Sequence, residues 1–199
     1  MKPIAFLLVL LSFNSFSQDE EQRIKDIRKW YASIESQLEN CRVDTLQDFN
    51  DSEYVIGGYV EVFGYFDTIS NSYIKFEEQA SYDWAYAITS YYFHEGQLFF
   101  IFTEGSGPGE MYTAEELEIT EEELWNRGGE AKTIVAFEER YYYDSDGKCI
   151  RKLHKEKEFP SEEEPDLSET VNEKESVDDK DNTLIYQHGL RMLQEFVQD

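Results

Sequence analysis

The chain reads as an α+β fold, with an N-terminal helix packed on a meandering antiparallel sheet of five or six strands and with a C-terminal helix. Three observations predict it. Between residues 24 and 41 apolar side chains recur at alternating spacings of three and four, the period of one helix face. From residue 54 to residue 158 the chain turns to runs rich in tyrosine, phenylalanine, valine and isoleucine, punctuated by short glycine turns. Residues 183–198 return to a helical pattern. An open β-barrel with a small internal cavity is the alternative.

The first element is an export signal. Lys2 precedes the apolar run from Ile4 to Leu11, and the small or polar residues "SFNSFSQ" follow. A charged, then apolar, then small-residue order is that of a secretory signal peptide, and the apolar core is too short to span a bilayer. Ser15 and Ser17 place the cut before Gln18, so residues 1–17 are the signal and the product is exported, periplasmic or extracellular. No cysteine lies at the cut, and no other run reaches membrane-spanning length.

Residues 18–157 form the expected α+β domain. Its helix, from Asp19 to Cys41, carries the stripe Ile24, Ile27, Tyr31, Ile34, Leu38 and Cys41, widened by Trp30. A polar connection from Arg42 to Glu53 leads to the strands. These are 54–66, 73–82 with one face exposed, 84–93, 97–103, 131–143 and 148–158. The consecutive apolar residues Leu98 to Phe102 mark the strand covered on both faces, hence the centre of the sheet. "HEG" and "DSDG" are hairpin turns. "EGSGPGE" (104–110) is a mobile loop, and 113–125 starts with Thr113 and Glu116 at the spacing of a capping box. Residues 158–182 are strongly acidic against Lys174 and Lys180 and read as a disordered linker, and residues 183–199 as the C-terminal helix.

The hairpins carry an internal echo. Tyr91, Tyr92, Phe93 and Gly96 recur as Tyr141, Tyr142, Tyr143 and Gly147, and "YDSDGK" resembles the tyrosine-aspartate repeats of secreted bacterial wrapping proteins. The order of signal peptide, amphipathic helix with "KWYASIE" and a meander with "YYFHEGQLFFIF" is similar to a group of uncharacterised exported bacterial proteins. That resemblance implies a fold rather than an activity.

Charge narrows the partners. A formal net charge of −25 repels nucleic acid and anionic lipid, and favours a cationic protein or peptide. Acidic clusters at 115–123 and 162–181 could hold calcium weakly and diffusely. "DSDG" lacks the closing glutamate of a calcium loop, since Lys155 stands there, and a side-chain-capped turn accounts for it better. Cys41 and Cys149 could pair across more than a hundred residues, a bridge worth roughly 4 kcal/mol, or stay as buried thiols.

Catalytic signals are sparse, and no residue is assigned a catalytic or metal-binding role. His94 and Glu95 are adjacent at a turn, and His154 and His188 lack metal-ligand spacing. Ser106 lacks a nucleophile elbow. No cofactor motif stands out. Trp84, Tyr86 and Tyr92 share a strand face that either binds a carbohydrate or peptide or lies under the first helix. The expected function is non-enzymatic binding of a protein or peptide partner in the cell envelope. The alternatives are a small acid-dependent hydrolase using Glu138 or Glu139 with Asp83, and a calcium-stabilised envelope protein.

Overall fold

The computed structural model describes residues 4–46, 59–82, 85–126, 128–177 and 179–198. The isoleucine stripe does what its spacing requires. Ile24, Ile27 and Ile34 are buried on one side of α1 (Ile4–Glu35), and the expected continuation to Cys41 is replaced by a tighter turn at Leu38–Asn40. Two serines explain the stop, because the Ser36 hydroxyl donates to the Ser33 carbonyl at 2.8 Å and competes with the helical ladder.

Among the described residues eight strands follow in sequence order, each antiparallel to the next: β1 (Arg42–Leu46), β2 (Tyr59–Asp67), β3 (Ser72–Tyr82), β4 (Ala85–His94), β5 (Gln97–Pro108), β6 (Thr133–Tyr143), β7 (Cys149–Pro160) and β8 (Glu173–Glu175). The six expected strands are present, and two more extend the sheet. β1 lies in what reads as a polar connection, and β8 in the acidic stretch. The sheet is open, with β1 and β8 at its edges, which replaces the barrel alternative.

β5 is longer than expected. Glu104 to Pro108, read as a loop, continues the strand and pairs with β4 and β6, with Ser106 opposite both Tyr86 and Ala136. Gly105 is needed there, because a Cβ on it would collide with the Tyr86 carbonyl oxygen. β3 also departs from expectation. Tyr73, Ile74, Lys75 and Phe76 are all buried, so its first half is covered on both faces.

Three hairpins share one irregularity. In β2/β3, β4/β5 and β6/β7 the register slips beside the turn, leaving Ile74, Phe99 and Ile150 without a partner of their own. Such a bulge turns two successive side chains to one face. Ile74, Phe99 and Phe100 pack with Ile24, Ile27 and Ile34 of α1, and Ile150 lies against the same cluster. Lys75 and Arg151 follow two of the bulged residues and reach α1 at Glu35 and at Glu20 and Glu21.

The opposite face belongs to α3 (Asp179–Gln198). Met192 and Phe196 are buried against Tyr73, Phe76, Tyr91 and Leu98, so the C-terminal helix docks on the sheet. β5 is accordingly covered on both sides. Leu98 and Ile101 face α3, and Phe99 and Phe100 face α1.

Between β5 and β6 the chain makes a capped turn and a short helix, α2 (Glu121–Asn126). The Thr113–Glu116 capping box forms, with the Thr113 N–H donating to the Glu116 carboxylate at 2.9 Å, and Thr120 with Glu123 repeats it. Within 158–182, expected as a linker, the chain completes β7, adds β8 and starts α3. Cations on β7 hold it, since Lys152 meets Glu175 at 2.8 Å and Lys155 donates to the Leu167 carbonyl at 3.0 Å. Among the described residues no helix is long and apolar enough to cross a membrane.

Candidate functional site

α1 crosses the turn end of the sheet, where Tyr31 meets Tyr92 and Phe100 edge to face at 5.1 and 5.5 Å. The strands continue past it. In register on that face come first Lys75, Tyr92, Phe100, Tyr142 and Arg151, then Glu77, Ser90, Phe102, Arg140 and Leu153, then Gln79, Ile88, Glu104, Glu138 and Lys155. The first row is under the helix. The second and third run out from beneath it.

A cleft of about 290 Å³ lies where α1, the second row and the segment before β8 meet. Its walls are Tyr31, Phe100, Phe102 and Tyr142, and Arg28, Arg140 and Asn172 supply the polar groups. Arg140 is held in place. It donates to the Asn172 side-chain oxygen at 2.8 Å and to Glu138 at 2.6 Å, with its guanidinium 5.6 Å from the centre of the Phe102 ring.

Along the strands the cleft gives way to carboxylates. Glu104 and Glu138 are directly opposed on β5 and β6. Glu138 is neutralised by Arg140 and by Lys155 at 2.7 Å. Glu104 has no cation within ion-pair distance among the described residues. Its side chain is exposed to solvent, yet the surrounding sheet removes enough water, with Glu138 and Glu77 nearby, to raise its carboxyl above the ordinary glutamate value, while Lys75 and Lys155 act from farther off in the opposite sense. This is the residue that sequence reasoning missed.

The expected aromatic platform is only partly formed. Trp84 lies outside the described residues, as does Asp83, the proposed partner of Glu138 or Glu139. Tyr86 is exposed, whereas Tyr92 is buried under α1, its hydroxyl donating to Glu35 at 2.9 Å. Burial and that carboxylate push the Tyr92 hydroxyl far above its usual value. Tyr92 therefore belongs to the core. Glu139 points to the α3 side, where it meets Lys152 at 2.9 Å and accepts from the Tyr141 hydroxyl.

The remaining signals are dispersed. His94 stacks on Trp30 with ring centres 4.5 Å apart, and Glu95 and Gly96, both at positive φ, form a two-residue hairpin turn. His154 lies between Glu139 and Glu156, and His188 meets Glu78 at 2.6 Å from α3. Among the described residues no three candidate metal-ligating side chains cluster. Asp144 accepts from the N–H groups of Asp146 and Lys148, each at 2.9 Å, which makes "DSDG" a side-chain-capped turn. Cys41 and Cys149 are free thiols on opposite faces of the sheet, with burial pushing Cys149 up to about 11.

No protein-family model matches the chain, no curated protein is similar to it in sequence, and no solved structure matches its fold.

Proposed function

We propose that the protein is an exported, non-enzymatic binding protein of the cell envelope, and that the open half of its α1-side sheet face receives a cationic segment of a protein or peptide partner. One observation carries this reading. Glu104 stands exposed on that face, directly opposite Glu138 and with no cation within ion-pair distance among the described residues, beside a cleft with aromatic walls. A lysine or arginine from a partner would supply the missing charge, and removal of water on binding would strengthen the pair. The signal-like N terminus supports export, and N-terminal sequencing of secreted product would then begin at Gln18.

The test is affinity capture from envelope extracts with wild type and Glu104→Gln side by side, at low and high salt. A partner retained by the wild type, weakened by salt and lost by the variant is the expected result. Equal recovery by both proteins, or no partner under either condition, sinks the reading. The same opposed carboxylates favour a second reading, a hydrolase with Glu104 as proton donor and Glu138 as base. Turnover of an ester or glycoside substrate that Glu104→Gln abolishes would put that reading first.

A further inference from the structure

Arg28 lines the cleft and makes no ion pair among the described residues, in a chain with 43 acidic residues against 18 lysines and arginines. Where carboxylates are in such excess, an arginine that closes no ion pair at the mouth of an aromatic cleft, and acts only at longer range on Glu21 of its own helix, is suited to an anion brought from outside. Arg140 lines the same cleft, already paired with Glu138 and with its plane fixed by Asn172 and Phe102. Two guanidinium groups match the two oxygens of a carboxylate. Nucleic acid, with many phosphates, is opposed by the net charge of −25.

Resting on the partner-binding reading above, we propose that this cleft takes the free carboxyl terminus of a peptide ending in a bulky apolar residue. The terminal carboxylate sits between Arg28 and Arg140, and the side chain enters among Tyr31, Phe100 and Tyr142. A volume of about 290 Å³ lies at the lower end for small-ligand sites and suits one large residue. The groove also says where the rest of the peptide goes. Phe102 and Glu104 are two residues apart on β5, about 7 Å along the strand, and an extended peptide covers the same distance in two residues. A lysine two places before the terminus therefore meets Glu104.

The probes are N-acetyl-Lys-Gly-Phe as the free acid and as the carboxamide, with N-acetylphenylalanine as a third, titrated calorimetrically into the full chain. The free acid is expected to bind about tenfold tighter than the amide, the cost of losing a charge-assisted contact. Glu104→Gln should weaken the tripeptide but not N-acetylphenylalanine, and Arg28→Gln should remove the preference for acid over amide. Arg28 is an exposed helix residue, so its replacement should leave the fold intact, and the circular dichroism spectrum of the variant should match that of the wild type. Equal binding of acid and amide, no binding at millimolar peptide, or an unchanged preference in Arg28→Gln overturns the proposal. N-acetylphenylalanine binding as tightly as the tripeptide assigns the cleft to small free acids and overturns the peptide assignment. If any of these occurs while capture still depends on Glu104, the partner-binding reading stands without it.

Discussion

Glu104 is exposed, but water removed by the surrounding sheet together with Glu138 and Glu77 shifts its carboxyl upward, against a smaller opposing effect of Lys75 and Lys155. A carboxyl whose value is raised on folding penalises the native state when ionised. The penalty is fully present above the folded value and disappears as pH falls through it toward the unfolded one. Glu104→Gln should therefore raise stability at pH 7, by well under about 1 kcal/mol because the side chain is exposed and solvent screens it. Urea melts at pH 7 and pH 4 would check this, with the gain present at the first and absent at the second. A loss of stability at pH 7 would mean that Glu104 holds the fold rather than a partner. Its place in the site was hidden because "EGSGPGE" has the composition of a loop, whereas pairing with β4 and β6 holds it in the sheet and Gly105 leaves room there for the Tyr86 carbonyl. Glu138 was visible as a candidate, but its true neighbour was not. Asn172, from a stretch too polar to suggest folded structure, reaches Arg140 through a contact 32 residues long in sequence.

At the scale of elements, what could be read was whatever local chemistry dictates. The stripe of α1, the turns at Gly96 and Gly147, the capping box at Thr113 and the buried run of β5 each carry their own signal. Short strands held by tertiary pairing do not, and β1 and β8 were missed for that reason. The bulges at Ile74, Phe99 and Ile150 were equally silent, since a one-residue slip changes no composition. Gly189 shows how tertiary contact can reverse a local rule. Glycine inside α3 should be improved by alanine, by about 1 kcal/mol of helix propensity. Here an added Cβ would stand 2.6 Å from the Tyr91 ring and 2.9 Å from Leu98, both buried. Overpacking of a filled core costs about 1–3 kcal/mol. Gly189→Ala should thus destabilise by about 1 kcal/mol net and lower the thermal midpoint. A rise in that midpoint would show that α3 sits more loosely on the sheet than Met192 and Phe196 imply.

For the whole molecule, the dominant quantity is its charge of −25. α1 and α3 are held largely by apolar contacts, and the ion pairs that help α1, Arg151 to Glu20 and Lys75 to Glu35, are few against the surplus of carboxylates. An exposed pair contributes about 0.2–1 kcal/mol, whereas net charge this large opposes compaction everywhere at once. Repulsion should outweigh the pairs. Raising sodium chloride from about 0.01 to about 0.15 M shortens the screening length from about 30 to about 8 Å, and the thermal midpoint should rise. A fall would mean that local pairs dominate. Calcium chloride at the same ionic strength provides the control, because a general screening effect follows ionic strength and a bound ion does not. With no cluster of metal-ligating side chains among the described residues, the two salts should raise the midpoint alike. An additional rise of several degrees with calcium would instead locate a stabilising ion in the acidic segments 115–123 or 162–181, and charge-removing substitutions in each segment would then tell which one holds it.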